Sequence, residues 1–490
     1  MADKKQYDLL IKNVRIVRPN ADSVQASDIA VKDGKIMRVG PGLDTDASAE
    51  IYDGQGRLAF PGVVDAHMHT GIYSPLPEDA ISESRAAAMG GVTSSLNYMR
   101  TGGYYLNKGG PYRSFFPEVL ALSEGRFYVD YAYHLAPMDR THIEEIPDLI
   151  DEFGVTSFKI FMFYGSHGLH GRSTNQHEFL MIGEDERYDY AHFEFVMRGL
   201  QGAMQQCPAK AHQISLSLHC ETAEIMAAYT KIVEEEGKLQ GLPAYHAARP
   251  PHSEGLAIFI ASYLANETEL PNINLLHLSS RKALTAALQM AQVFPHIDFR
   301  REVTIGHLML DIDAPTGNLA KVNPPIRPRE DVEFLWENLL NGKLDWVCSD
   351  HACCKHELKV DHENPGDIWL AKSGFGGTEY LLAALVSEGR KRGLSYNRMA
   401  ELTSFNPARR FGLNQKGDLA AGLDGDVVLV DSNENWIVQA EQSESQQGYT
   451  PFEGQQLGAR VKTTFLRGRR IYDDGQVIGE PRGRYLSRPY

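Results

Sequence analysis

Two imidazoles two positions apart, His67 and His69, close the stretch Phe60-Pro-Gly-Val-Val-Asp-Ala-His-Met-His. Side chains on a strand alternate faces, so both rings point the same way and can hold one divalent ion through neutral nitrogens. Four more residues share this setting, each at the end of an expected strand: Lys159 in Thr-Ser-Phe-Lys-Ile-Phe-Met, His219 in Ser-Leu-Ser-Leu-His-Cys-Glu, His277 in Asn-Leu-Leu-His-Leu-Ser-Ser and Asp350 in Asp-Trp-Val-Cys-Ser-Asp-His. Any one of them alone is an ordinary polar strand terminus; in this order they read as one donor set. An ammonium is repelled by a metal, so the lysine fits as a neutral amine that has captured carbon dioxide as a carbamate, an anionic bridge between two ions. Two ions about 3.5–4 Å apart share a hydroxide, lower its pKa and polarise a carbonyl, which is the chemistry of amide, ester or phosphoester hydrolysis.

The elements that must position these residues are strands alternating with helices. Between residues 61 and 410 the pattern predicts eight strands, at 60–67, 91–99, 126–135, 156–162, 214–220, 273–279, 300–310 and 345–350, with helices over 78–89, 191–205, 222–236, 281–293 and 329–340. Alternation of this kind implies βαβ units, and eight strands imply a (β/α)8 TIM barrel with its active site at the C-terminal strand ends, where all six residues fall. Two connections are long for βα loops: 100–116, with Tyr104, Tyr105, Tyr112, Phe115 and Phe116, and 163–188, with His167, His170 and His177. Loops of such length at that face shape or cover a pocket. Residues 1–60 and 411–490 read instead as short strands between Asp-Gly and other glycine turns, which predicts one small β-sandwich domain built from both chain ends.

Composition narrows the class. The chain has 490 residues, 42% of them apolar, enough for one large catalytic unit and an accessory domain. A net charge of −15 excludes a nucleic-acid or anionic-membrane surface, which needs clustered Lys and Arg, and leaves a small molecule as the partner. Five cysteines without zinc-finger spacing predict reduced thiols and a cytoplasmic compartment. The opening residues carry no apolar run like that of a signal peptide, and no window has the length and apolarity of a membrane span.

The chain resembles the cyclic-amide branch of the amidohydrolase superfamily, the group of hydantoinases, dihydropyrimidinases, allantoinases and dihydroorotases, over almost its whole length. The resemblance is carried by residues 61–69, Lys159-Ile-Phe-Met-Phe-Tyr164, His219, His277, Asn323-Pro-Pro-Ile-Arg327, Ser349-Asp-His351, Asn406-Pro-Ala-Arg-Arg-Phe-Gly-Leu413 and the return into the small domain over 416–430. It implies that His67, His69 and Asp350 hold one metal, His219 and His277 the second, and that carboxylated Lys159 bridges the pair, with Zn2+ the first choice and Mn2+ or Co2+ compatible with the same donors. It implies that Asp350 moves the proton from the bridging water to the leaving ring nitrogen, and that Tyr164 hydrogen-bonds the substrate carbonyl and its developing oxyanion. Asn323 and the Ser373–Gly374 segment stand where relatives contact the ring, Arg100 where an anionic or carbonyl-rich substrate would meet a cation, and relatives are often homotetramers.

Departures bear on the substrate. Dihydroorotases carry an arginine just after the His-x-His pair, where this chain has Thr70-Gly-Ile-Tyr-Ser-Pro, and a carboxylate-binding histidine where it has Cys354. The expected substrate is therefore a neutral or aryl-substituted hydantoin, dihydropyrimidine or related ureide, with the aromatics of the 100–116 loop facing it. Two other readings compete: a noncatalytic scaffold like the dihydropyrimidinase-related proteins, which lack most of the ligands kept here, and a hydrolase of other amides, carbamates or esters at the same metals. Tyr164 and Asn323-Pro-Pro favour a ring.

Overall fold

Aliphatic and β-branched runs between turns form the first five strands, β1 (Tyr7–Ile16), β2 (Gln25–Lys32), β3 (Lys35–Gly40), β4 (Ser48–Asp53) and β5 (Leu58–Pro61), in a computed structural model that describes residues 5–101, 109–163 and 189–490. The β2–β3 hairpin turns at Asp33 and Gly34, both with positive φ (50° and 78°), the left-handed backbone that a two-residue hairpin turn of this hand requires. Near the other end, β15 (Val427–Asp431), β18 (Arg460–Leu466), β19 (Arg469–Asp473) and β20 (Gln476–Val477) join the same sheet, β15 pairing antiparallel with β5, while β16 (Trp436–Ile437) and β17 (Gln456–Leu457) form a separate pair. The sheet runs β20-β19-β18-β15-β5-β1-β2-β3, with β4 also on β1, and closes over Leu9, Ile11, Val14, Ile29, Val427 and Phe465. This is the small β-sandwich.

Between the ends lie β6 (Val63–His69), β7 (Val92–Met99), β8 (Asp130–Leu135), β9 (Ser157–Phe161), β10 (Ser215–His219), β11 (Asn272–Leu275), β12 (Asp298–Thr304), β13 (Trp346–Cys348) and β14 (His351–Ala352). Neighbours pair in parallel throughout, and β14 pairs with β6, so the sheet closes on itself. β13 and β14 are one strand interrupted at Ser349 and Asp350, which makes the barrel eight-stranded. The interior is polar for a barrel: Tyr98 Oη donates to Ser217 Oγ (2.8 Å), and Asn274 Nδ2 donates to Ser215 and Ser217 (3.2 and 3.1 Å). Buried hydroxyls and amides are tolerated there because they satisfy one another. The chain's last residues stop the barrel floor: Leu486 joins Val64, Ala66, Leu96 and Ala132 in one apolar cluster, and Arg488, 1% exposed, donates to Ser157 Oγ (2.5 Å).

The helices Leu76–Met89, Tyr190–Gln206, Ala223–Glu236, Arg281–Val293 and Arg329–Leu340 stand where expected to within two residues. The structure departs from the sequence pattern in several places. The connection after β7 is not irregular up to Phe116, because a helix begins at Tyr112 (Tyr112–Ser123); Tyr112, Phe115, Phe116 and Val119 fall at i, i+3, i+4 and i+7 and bury one face, Phe116 meeting Tyr133 edge-on at 5.7 Å. The expected strand over 300–310 stops at Thr304, whose Oγ1 accepts from His307 N (3.1 Å) and caps a helix, Ile305–Met309. Two further helices, Gly241–Ala248 and Pro251–Glu267, fill the span between β10 and β11 that sequence pattern left unassigned. Among the described residues, no helix is long and apolar enough to cross a membrane.

Candidate metal centre

The structure brings the six singled-out residues together. His67 and His69 lie at the end of β6, Lys159 within β9 and His219 last on β10; His277 follows β11 by two residues, and Asp350 sits in the gap between β13 and β14. His67 Nε2 is 3.1 Å from Asp350 Oδ1 and 3.1 Å from Lys159 Nζ, and His69 Nε2 is 3.3 Å from the same Asp350 oxygen. The His67 and His277 rings are 5.4 Å apart and those of His219 and His277 4.3 Å. Two of these residues adopt a conformation that L side chains rarely take, Asp350 at φ 53° and His277 at φ 33°. Backbone in the left-handed region is uncommon outside glycine and clusters at functional sites; at Asp350 it interrupts the strand where the carboxylate meets both β6 histidines.

Electrostatics suit metal binding. Burial holds His67, His69 and His277 well below the usual histidine range and brings His219 down to about 4, so the imidazoles are neutral, the form that ligates. Burial also pushes the Lys159 amine down to about 8, despite the opposing charge of Asp350. His67, His277 and Asp350 each offer a donor atom within 4.8 Å of the others, and the buried Nδ1 of His277 has no hydrogen-bond partner among the described residues. Buried polar atoms are almost always paired, so an orphaned imidazole nitrogen beside a carboxylate fits the demands of a cation.

Two carboxylates that sequence reasoning did not single out support the histidines. Glu302 on β12 accepts from His67 Nδ1 (2.8 Å), from His277 N (3.0 Å) and from Trp346 Nε1 (2.8 Å). This fixes the His67 tautomer and leaves Nε2 facing Lys159 and Asp350. Glu221 Oε2 lies 2.7 Å from His219 Nε2, leaving Nδ1 for the centre, and is itself bound bidentately by Arg249 (2.9 and 2.5 Å). Burial alone would raise the Glu221 pKa, but the Arg249 charge and the His219 bond hold it far below the usual range. The signals that could have found them were a carboxylate two residues after His219 and an acid inside the seventh barrel strand.

A cavity opens over the centre, lined by His69, Lys159, His219, His277 and Asp350 and by the expected contact residues Arg100, Asn323, Ser373 and Gly374. Tyr164, Tyr104, Tyr105, His167, His170 and His177 lie outside the described residues. The aromatics expected to face a substrate from the loop after β7 do not do so where described: Tyr112, Phe115 and Phe116 are buried, and Tyr112 Oη donates to Ala136 O (2.6 Å). Ile72, Tyr73, Phe161, Phe163 and Val322 supply the apolar wall instead. Cys354 is buried outside the cavity lining.

A model of the amidohydrolase family matches residues 181–471, and an allantoinase of Rubrobacter xylanophilus is 31% identical over 489 residues, spanning 98% of this chain and 97% of that protein. The chain belongs to the amidohydrolase family. Other amidohydrolases of like length are equally close: a D-hydantoinase of Geobacillus stearothermophilus is 30% identical, with 98% of this chain and 96% of that protein covered. The crystal structure of a dihydropyrimidinase from Brevibacillus agri superposes with a TM-score of 0.83 at 26% identity, covering 98% of both chains. This amidohydrolase therefore shares its overall fold with that dihydropyrimidinase, and its cluster of imidazoles and Asp350 lies at the C-terminal strand ends, the catalytic face of such barrels.

Proposed function

We propose that this chain is an enzyme that opens a cyclic amide, a hydantoin, dihydropyrimidine or related ureide ring, by hydrolysis at a two-metal centre held by His67, His69, Lys159, His219, His277 and Asp350. The observation that carries the reading is the convergence of His69, His219, His277, Asp350 and the buried amine of Lys159 on a single cavity, with His67 Nε2 3.1 Å from both Asp350 and Lys159. Support comes from end-to-end similarity to proteins named allantoinase, D-hydantoinase and dihydropyrimidinase.

Two divalent ions, Zn2+ first among those that suit such donors, with Mn2+ and Co2+ compatible, would lower the pKa of water at the centre and polarise the scissile carbonyl. The residues do the rest. The neutral Lys159 amine attacks carbon dioxide, forms the N–C bond and releases a proton, and the resulting carbamate matches the positive charge of the centre. Asp350 accepts a proton from the attacking water and returns it to the ring nitrogen as the C–N bond breaks, so that nitrogen leaves protonated, as the NH2 of a ureido group, and the hydrolysed carbonyl becomes a carboxylate. Tyr164 is assigned as donor to the carbonyl oxygen while negative charge develops there. Arg100, Asn323, Ser373 and Gly374 hold the rest of the ring, and Glu302 and Glu221 keep His67 and His219 in register.

We further assign residues 61–410 to the catalytic unit and 1–60 with 411–490 to the small domain, a homotetrameric assembly and a cytoplasmic location. The reading is tested by assaying metal-replete protein on dihydrouracil, hydantoin, 5-aryl hydantoins, allantoin and dihydroorotate. At least one neutral ring is opened, with kcat/KM about 10³ above dihydroorotate, because two charge contacts worth about 2 kcal/mol each are missing where Thr70 and the buried Cys354 stand. Turnover of none of these rings would overturn it.

A further inference from the structure

The helix Gly241–Ala248, in the span between β10 and β11, carries a side chain, Tyr245, that the hydrolytic scheme leaves unused but whose hydroxyl reaches Asn323 and Ser373, two residues of the cavity wall. We propose that Tyr245 is a positioning residue that sets which end of the Asn323 carboxamide faces the cavity, and so which group of the substrate that amide reads. The substrate half of this rests on the ring-opening reading above.

Arg249 is a donor only, and its guanidinium is fixed by Glu221 on one side. Its remaining nitrogen donates to Tyr245 Oη (2.8 Å), which fills one lone pair of that oxygen. The phenol hydrogen must then point elsewhere. Asn323 Oδ1 lies 2.5 Å from Oη, whereas Ser373 Oγ lies at 3.3 Å, so the shorter contact takes the proton. The Tyr245 ring cannot swing away, because it is buried at 2% exposure with Lys321 Nζ 4.6 Å above its centroid and Trp369 6.2 Å from it.

Asn323 lines the cavity, and with its oxygen held by Tyr245 the amino end of its amide is the end assigned to the substrate. A donor in that position recognises a ring carbonyl; an acceptor there would recognise a ring N–H. The same chain of bonds runs from Asn323 through Tyr245, Arg249 and Glu221 to His219, so the amide that reads the substrate and an imidazole of the centre are braced by one network. Buried networks of this kind hold one arrangement because each alternative leaves a polar group unpaired.

The test is a double-mutant cycle on metal-replete, full-length enzyme with the best ring of the panel above, joined to neutron diffraction of the wild type, which sees the amide deuterons directly. Tyr245→Phe is expected to raise KM about tenfold with kcat held within about threefold, the pattern of a lost binding contact. In an Asn323→Ala background the same change should have no further effect on KM. Independent, multiplying effects of the two substitutions would overturn the proposal, as would neutron density placing the Asn323 deuterons on Tyr245. If no ring is turned over, the ring-opening reading fails by itself, and the neutron density still decides the orientation of the amide.

Discussion

Replacing Glu302 by glutamine removes a charge and one acceptor while keeping the volume, and the structure says where the mismatch falls. Oε1 of Glu302 accepts from His67 Nδ1 and His277 N, and Oε2 accepts from Trp346 Nε1, all three donors being buried. Glutamine has one oxygen. Keeping it on the histidine side turns its amino group against the Trp346 N–H and strands one donor pair; the opposite orientation strands two. The first wins, at a cost of about 1–3 kcal/mol for a buried unsatisfied group. Loss of the anionic partner of a ligating histidine weakens metal binding by about 10- to 100-fold, or about 1.4–2.8 kcal/mol. Urea denaturation at fixed pH should show the stability loss with an unchanged slope, and competition against a chelator of known affinity should show the metal loss. A Glu302→Gln variant that is destabilised yet binds metal like the wild type would refute the reasoning and reduce Glu302 to a brace of the barrel wall.

Other outcomes follow from the same geometry. Wild-type enzyme should hold close to two divalent ions per chain by elemental analysis, and Lys159→Ala should lose most metal and activity, with partial rescue by a short carboxylate; one ion or none in active enzyme would sink the two-metal scheme. Asp350→Asn should abolish turnover with the melting transition retained, while Tyr164→Phe should lower kcat by about 10² to 10³, the size of one lost oxyanion donor; a change in KM alone would make Tyr164 a ground-state contact. Lys359 is fully buried, and burial pushes its amine from 10.5 down to about 7, so between those values the unfolded chain binds a proton that the folded chain does not. Stability from this group therefore rises with pH across that window, by at most about 1.4 kcal/mol per unit, and is lost as pH falls through 7. Lys359→Met should flatten that slope in denaturation curves taken from pH 7 to 10; an unchanged slope would show that the buried amine keeps its proton.

The sequence by itself pointed to the alternation of strands and helices, the two-ended small domain and six residues that the structure gathers at one rim, because these rest on local rules. Alternation with period 2 puts His67 and His69 on one face, and parallel barrel strands bring their C-terminal ends to one rim whatever lies between. Local pattern also carried the helices over 281–293 and 329–340, where periodic apolar positions and clear stops agree. It failed at Tyr112, Phe115 and Phe116, because the same aromatics serve a loop or a helix face, and only packing against Tyr133 and Phe153 decides between them. The structure alone decided the partners of the centre. Glu302 meets His67 across 235 positions of sequence, Tyr245 meets Asn323 across 78, and Ser349 Oγ reaches Asp65 across 284. No periodicity encodes such pairings, since they are fixed by closure of the barrel through β14 onto β6. The identity of a donor can be read from one residue, but the tautomer, charge and aim it takes are set by neighbours that only the closed barrel brings within about 3 Å.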